Sequence, residues 1–149
     1  MAEKGWFVHE LRVRYAETDR MGVVYHANYL TWFEIGRTEM IRSLGVAYEE
    51  VERRGLYLPL TEAQARYHLP ARYDDWLQIR TRVQRMTPLR LEFYVEVWRG
   101  DELLADGLTK HVWLDRNWKP VRLDKAAPDL YELLKRSAPF RAGEDGEQT

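Results

Sequence analysis

One stretch limits the choice of folds more than any other. Between Asn28 and Leu44 the chain carries a helical pattern in which Leu30, Phe33, Arg37, Met40, Ile41 and Leu44 recur at steps of three and four. Tyr29, Trp32 and Ile35 widen the apolar face. A helix this apolar, roughly four to five turns long, has to be covered over most of its circumference. Asn28 is placed to cap its start and Gly45 to end it in the left-handed conformation. A short second helix is expected from Tyr48 to Arg54, ending at Gly55.

Everything else that could cover the helix reads as strand. Residues 7–15 alternate Phe7, His9, Leu11, Val13 and Tyr15 against Val8, Glu10, Arg12 and Arg14. Residues 57–68 alternate weakly and stop at Pro70. The pattern is clear again over 76–85 and 90–99, and a long strand is expected over 103–114, with Gly107 as a bulge. Thr87-Pro88, Gly100-Asp101 and Asp115-Arg116-Asn117 mark the turns, the second of them a hairpin signal. Residues 128–136 suit a short terminal helix with Pro128 near its start, and the polar tail 142–149 suits frayed chain. No strand–helix–strand alternation is present, so the sheet should be antiparallel with the apolar helix on one face. The expected fold is α+β, about five strands in one domain spanning 1–149, with its core over about 7–124.

Composition narrows function mainly by exclusion. The 23 Lys and Arg nearly balance the 24 Asp and Glu, so no overall field draws the chain to nucleic acid or to a membrane surface. With no cysteine, thiol nucleophiles, disulfides and Cys-type zinc sites are excluded. His9, His68 and His111 fall in separate strands without metal-ligand spacing, so no metal or other cofactor is expected. No glycine-rich phosphate loop or Gly-x-Ser-x-Gly elbow occurs, and no run approaches a membrane span or a signal-peptide core. The expected location is the cytoplasm. Six Trp and nine Tyr are a surplus that a core, an interface or an acyl pocket could employ.

The stretch YAETDRMGVVYHANY, residues 15–29, has a pattern of its own. Asp19 and Gly22 suit the first and fourth positions of a type I turn, which alone would explain the acid as a turn cap. The helix that follows opens with N–H groups lacking intrahelical partners and with a dipole that favours negative charge. An acyl oxygen aimed at the N–H of His26 or Ala27 would find an oxyanion hole there. Gly22 would let backbone approach a substrate closely, and Tyr25 and Asn28 would shape a pocket. The His26 imidazole is either structural or orients water or substrate. Glu17 reads as a solvated side chain at a strand end.

The spacing Tyr-x-x-x-Asp-x-x-Gly-x-x-Tyr-x-x-x-Tyr ahead of a long apolar helix resembles the 4-hydroxybenzoyl-CoA thioesterase family of hotdog-fold enzymes, in particular its bacterial acyl-CoA thioesterase branch. RYHLPARYDDWLQIRTRV (66–83), the strand pair 90–114 and LDRNWKPVRL extend the resemblance over about 7–124. It implies a curved antiparallel sheet wrapped around the central helix, and homodimers, often paired into homotetramers, with active sites at the dimer interface. It also implies hydrolysis of an acyl-CoA thioester. Asp19 matches the family's carboxylate, acting as general base or nucleophile, and the His26 amide matches its oxyanion donor. Two positions depart from the pattern. Asp74-Asp75 stands where many relatives have Gly-Asp, and only Arg85 and Arg90 remain of a basic cluster that some relatives use for CoA phosphates. Two alternatives are a hotdog dehydratase, whose His-x-x-x-x-Pro-Gly context is missing, and a non-catalytic acyl-thioester-binding protein.

Overall fold

A computed structural model of the chain describes residues 5–137. Strand β1 (Phe7–Arg12) leads into the long helix α1 (Asn28–Ser43) and the short helix α2 (Tyr48–Arg53). Strands β2 (Leu60–Tyr67), β3 (Trp76–Met86), β4 (Arg90–Arg99) and β5 (Glu102–Val112) follow, and then helices α3 (Leu123–Ala126) and α4 (Pro128–Ser137). The five strands form one curved antiparallel sheet in the order β1-β3-β4-β5-β2, and α1 lies across one face. This is the hotdog arrangement that the resemblance implied.

The alternation in β4 is the reason it folds as expected. Leu91, Phe93, Val95 and Val97 are buried under the helix while their neighbours are only partly covered. Strand β1 is shorter than its alternation suggested: it ends at Arg12, and Tyr15–Glu17 turn into a single 3-10 turn. Helix α3 had no signal strong enough to anticipate it, and the expected tail 142–149 lies outside the described residues.

The buried stripe of α1 is Tyr29, Trp32, Phe33, Gly36, Met40 and Ile41. The expected stripe was centred one position further on, and Leu30, which belonged to it, is 41% exposed. Gly36 explains the shift. A Cβ there would collide with Thr81 Oγ1 and press on Ile79, so the helix lies against β3 along a glycine that no apolar pattern reveals.

Gly107 repeats the device on β5. Its place in the ladder is regular, opposite Val95 and Ala65, and the register shifts fall elsewhere, between Leu60 and Glu62, Val83 and Arg85, and Val97 and Trp98. It is therefore not a bulge. A Cβ at 107 would collide with the Phe33 ring and the Gln64 carbonyl, so the glycine admits the helix instead.

Two apolar clusters fill the space between helix and sheet. One gathers Met40, Ile41, Trp113, Leu123 and Leu130, where α3 and α4 close the far end. The other gathers Trp32, Phe33, Leu77, Ile79, Val95 and Leu104, directly beneath the start of α1. No helix among the described residues is long and apolar enough to cross a membrane.

Candidate active site

The acid-bearing loop is a tight hairpin. Thr18 and Val24 form a bridge, the Asp19 N–H donates to the Val23 carbonyl at 2.8 Å, and the Gly22 N–H donates to the Asp19 carbonyl at 3.0 Å. Gly22 has φ +80°, the left-handed value this turn requires. A Cβ there would meet no other atom of the chain, so conformation rather than crowding within the chain calls for glycine. One carboxylate oxygen of Asp19 accepts the Met21 N–H at 2.8 Å. That is the turn-capping role read from the sequence. The other oxygen takes no hydrogen bond from the described residues.

Glu17 joins this loop to α1. It is buried rather than solvated, which corrects the reading from the sequence. Its carboxylate accepts the Trp32 indole N–H at 3.0 Å and the Arg14 amide at 2.8 Å. Its carbonyl accepts the Tyr25 amide at 2.9 Å and the Asn28 side-chain amide at 2.8 Å. Asn28 consequently does not cap α1: Ala27 occupies the cap position without a side-chain bond, and Asn28 is the first helical residue, turned back toward Glu17. A cap residue uses its side chain on its own helix; this one uses it to draw the helix start onto the loop.

Drawing the two together opens a cleft of about 290 Å³ lined by Asp19, Met21, Val23, Val24, His26, Tyr29, Tyr67, His68, Leu69 and Pro70. No acceptor among the described residues takes the N–H of His26 or of Ala27, at the positive end of α1. The far wall is tied in by Val24, whose amide donates to the Ala71 carbonyl at 2.8 Å, and by Tyr29, whose hydroxyl accepts the Ala71 N–H at 3.2 Å. Burial pushes the Tyr29 phenol above its ordinary range, and the Ala71 bond opposes it only in part. The cleft therefore brings together Asp19, with one carboxylate oxygen free of hydrogen bonds, and His26, at the start of a helix whose first amides have no acceptor among the described residues. A carboxylate beside free amides is suited to attack on an acyl carbon whose oxygen an N–H group holds.

Residues 13–141 match the thioesterase-like superfamily. The chain belongs to it. It is 31% identical over 131 residues to the acyl-CoA thioesterase YbgC of Haemophilus influenzae, covering 87% of this chain and 96% of that one. Among solved structures, the DHNA-CoA thioesterase of Staphylococcus aureus superposes with a TM-score of 0.84 at 34% identity, over 88% of this chain and 89% of the other. The hypothetical protein TT1821 of Thermus thermophilus gives 0.82 at 34% identity, over 87% and 98%.

Not every expected residue of this thioesterase-like chain lies at the cleft. Asp19 and His26 line it; Gly22, in the Asp19 turn, and Asn28, bonded to the Glu17 carbonyl, do not. Tyr25 is half-exposed and packs on the His26 ring, with centroids 4.4 Å apart. The ring of His26 is itself exposed. Arg85 and Arg90 sit at the opposite end of the sheet: Trp76 begins β3 near the cleft, and Arg85 lies nine residues along it, roughly 30 Å away at the strand rise. Within one chain they do not reach the acid. Sequence reasoning gave Glu17 a solvated place and Tyr29 a place only on the apolar helix face and in the spacing motif, and it singled out Tyr67 not at all; Tyr67 sits in the strand whose pattern was weakest.

Proposed function

We propose that the chain hydrolyses acyl-CoA thioesters, with Asp19 as general base or nucleophile and the start of α1 as the oxyanion hole. The observation that carries this is one cleft lined by both Asp19, with a free carboxylate oxygen, and His26, where α1 starts with the N–H groups of His26 and Ala27 taken by no acceptor among the described residues. The thioester carbonyl oxygen points at these amides. As the carbon becomes tetrahedral, negative charge gathers on that oxygen, where the amides and the helix dipole favour it. Asp19 takes a proton from an attacking water, or attacks the carbon itself to give an anhydride that water then opens. The carbon–sulfur bond breaks, the acid leaves with the new oxygen, and the CoA thiolate takes up the proton. The names of the relatives support the substrate class.

The working unit in this reading is a homodimer joined along β2. That strand is a sheet edge, and its residues are exposed on both faces, which is unusual for eight residues of strand with no partner on one side. Antiparallel pairing of two copies there would satisfy both edges and bring a second chain beside Tyr67 and His68, where the cleft opens.

The test is thiol release from a panel of acyl-CoAs, comparing wild type with Asp19→Asn. Wild type should turn over at least one class, and the variant should lose about 100-fold or more in kcat while keeping its circular dichroism and thermal midpoint. Wild-type rates in the variant would remove Asp19 from the mechanism. Acyl-CoA binding without hydrolysis of any panel member would make the protein a binding module.

A further inference from the structure

Strand β2 ends on Tyr67, whose hydroxyl donates a 3.0 Å hydrogen bond to the His26 carbonyl oxygen. That oxygen belongs to the same peptide group as the Ala27 N–H. Its other bond among the described residues comes from the Tyr29 amide and is longer, at 3.3 Å. A peptide group is planar, so anchoring its oxygen sets the direction of the N–H on the opposite side. Drawing electron density from the oxygen also strengthens that N–H as a donor.

The phenol is well held for this task. Tyr67 pairs with Ala105 of β5, meets the Tyr29 ring edge-on at 5.1 Å and the His26 ring at 6.4 Å. Partial burial raises its hydroxyl above the ordinary tyrosine range, so it remains a protonated donor across the neutral range.

We propose that Tyr67 is a positioning residue for the oxyanion hole: its hydroxyl aims and polarises the His26–Ala27 peptide, making the Ala27 N–H a second donor beside that of His26. The inference rests on the thioesterase reading above. The Tyr67 ring lines the cleft, but its hydroxyl acts through the peptide, so removing the hydroxyl alone should appear in the chemical step and not in binding.

Tyr67→Phe removes one oxygen from a half-exposed ring and leaves the aromatic packing in place. Against an acyl-CoA that wild type hydrolyses, kcat should fall about three- to tenfold, the range of one neutral hydrogen bond, with KM unchanged. The Ala27 amide proton should shift upfield in a ¹⁵N-resolved spectrum. In a second variant, a fluorotyrosine of lowered phenol pKa at position 67 should give kcat a new alkaline limb, because a phenolate cannot donate. Wild-type kcat in Tyr67→Phe overturns the proposal, as does an Ala27 resonance that does not move or a pH profile unchanged by the fluorotyrosine. If wild type itself hydrolyses no acyl-CoA, the thioesterase reading falls and this one with it. Turnover in wild type that survives intact in Tyr67→Phe overturns only the role of Tyr67.

Discussion

Glu17 and His111 are two buried polar side chains whose surroundings give them opposite tasks. Glu17 meets N–H donors on both carboxylate oxygens, and so can hold the loop and the helix together from inside the protein. His111 is only 2% exposed, with its Nε2 3.0 Å from the Thr109 hydroxyl and its Nδ1 3.3 Å from the Leu58 carbonyl. One neutral tautomer satisfies both partners: Nδ1 donates to the carbonyl and Nε2 accepts from the hydroxyl. Burial first, and the nearby Arg37 charge second, pull the imidazole down from 6.5 to about 4. The unfolded chain then binds more protons than the folded one between those values, so stability rises with pH across that window and is lost as pH falls through it. The loss amounts to up to about 3 kcal/mol by pH 4. Urea unfolding at a series of pH values should show this slope, and His111→Gln should flatten it. An equal slope in the variant would move the effect to other groups.

At the scale of elements, the contact between α1 and the sheet depends on absent side chains. Gly36 faces Thr81, and Gly107 faces Phe33 with the Gln64 carbonyl behind it. Because a carbonyl cannot rotate aside as a side chain can, Gly107→Ala should shift β2 or α1 and destabilise by about 1–3 kcal/mol, measured by urea unfolding at neutral pH. A loss below a few tenths would mean that the helix has room to slide. The same contact explains what the sequence could show. Strand β4 was legible because half-burial imposes strict alternation on Leu91 to Val97. Strand β2 was faint because both its faces are exposed, leaving no apolar parity to read. The face of α1 was displaced because its centre is a glycine. Asp19, Gly22 and His26 announced themselves by local turn and helix-start chemistry. Tyr67 did not, since its partner is a backbone carbonyl 41 residues away and no residue type advertises such a bond.

For the whole molecule, the free edge of β2 is decisive. If two copies join there, wild type should sediment as a dimer or an even multiple of it. Alternate β2 amides should then exchange slowly at high protein concentration and quickly on dilution. A monomer at all concentrations, with β2 amides exchanging freely, would refute the shared edge. The cleft beside that edge has a further property. Its loop and helix start are held together by Glu17 and Trp32 deep in the fold, while part of its wall comes from Met21 and Leu69, which are 79% and 42% exposed. Substitutions at those two positions should reshape the cleft at little cost to the fold and without touching Asp19. In the thioesterase reading, selectivity for the acyl group is thus separable from the chemistry, because the two rest on different parts of the fold.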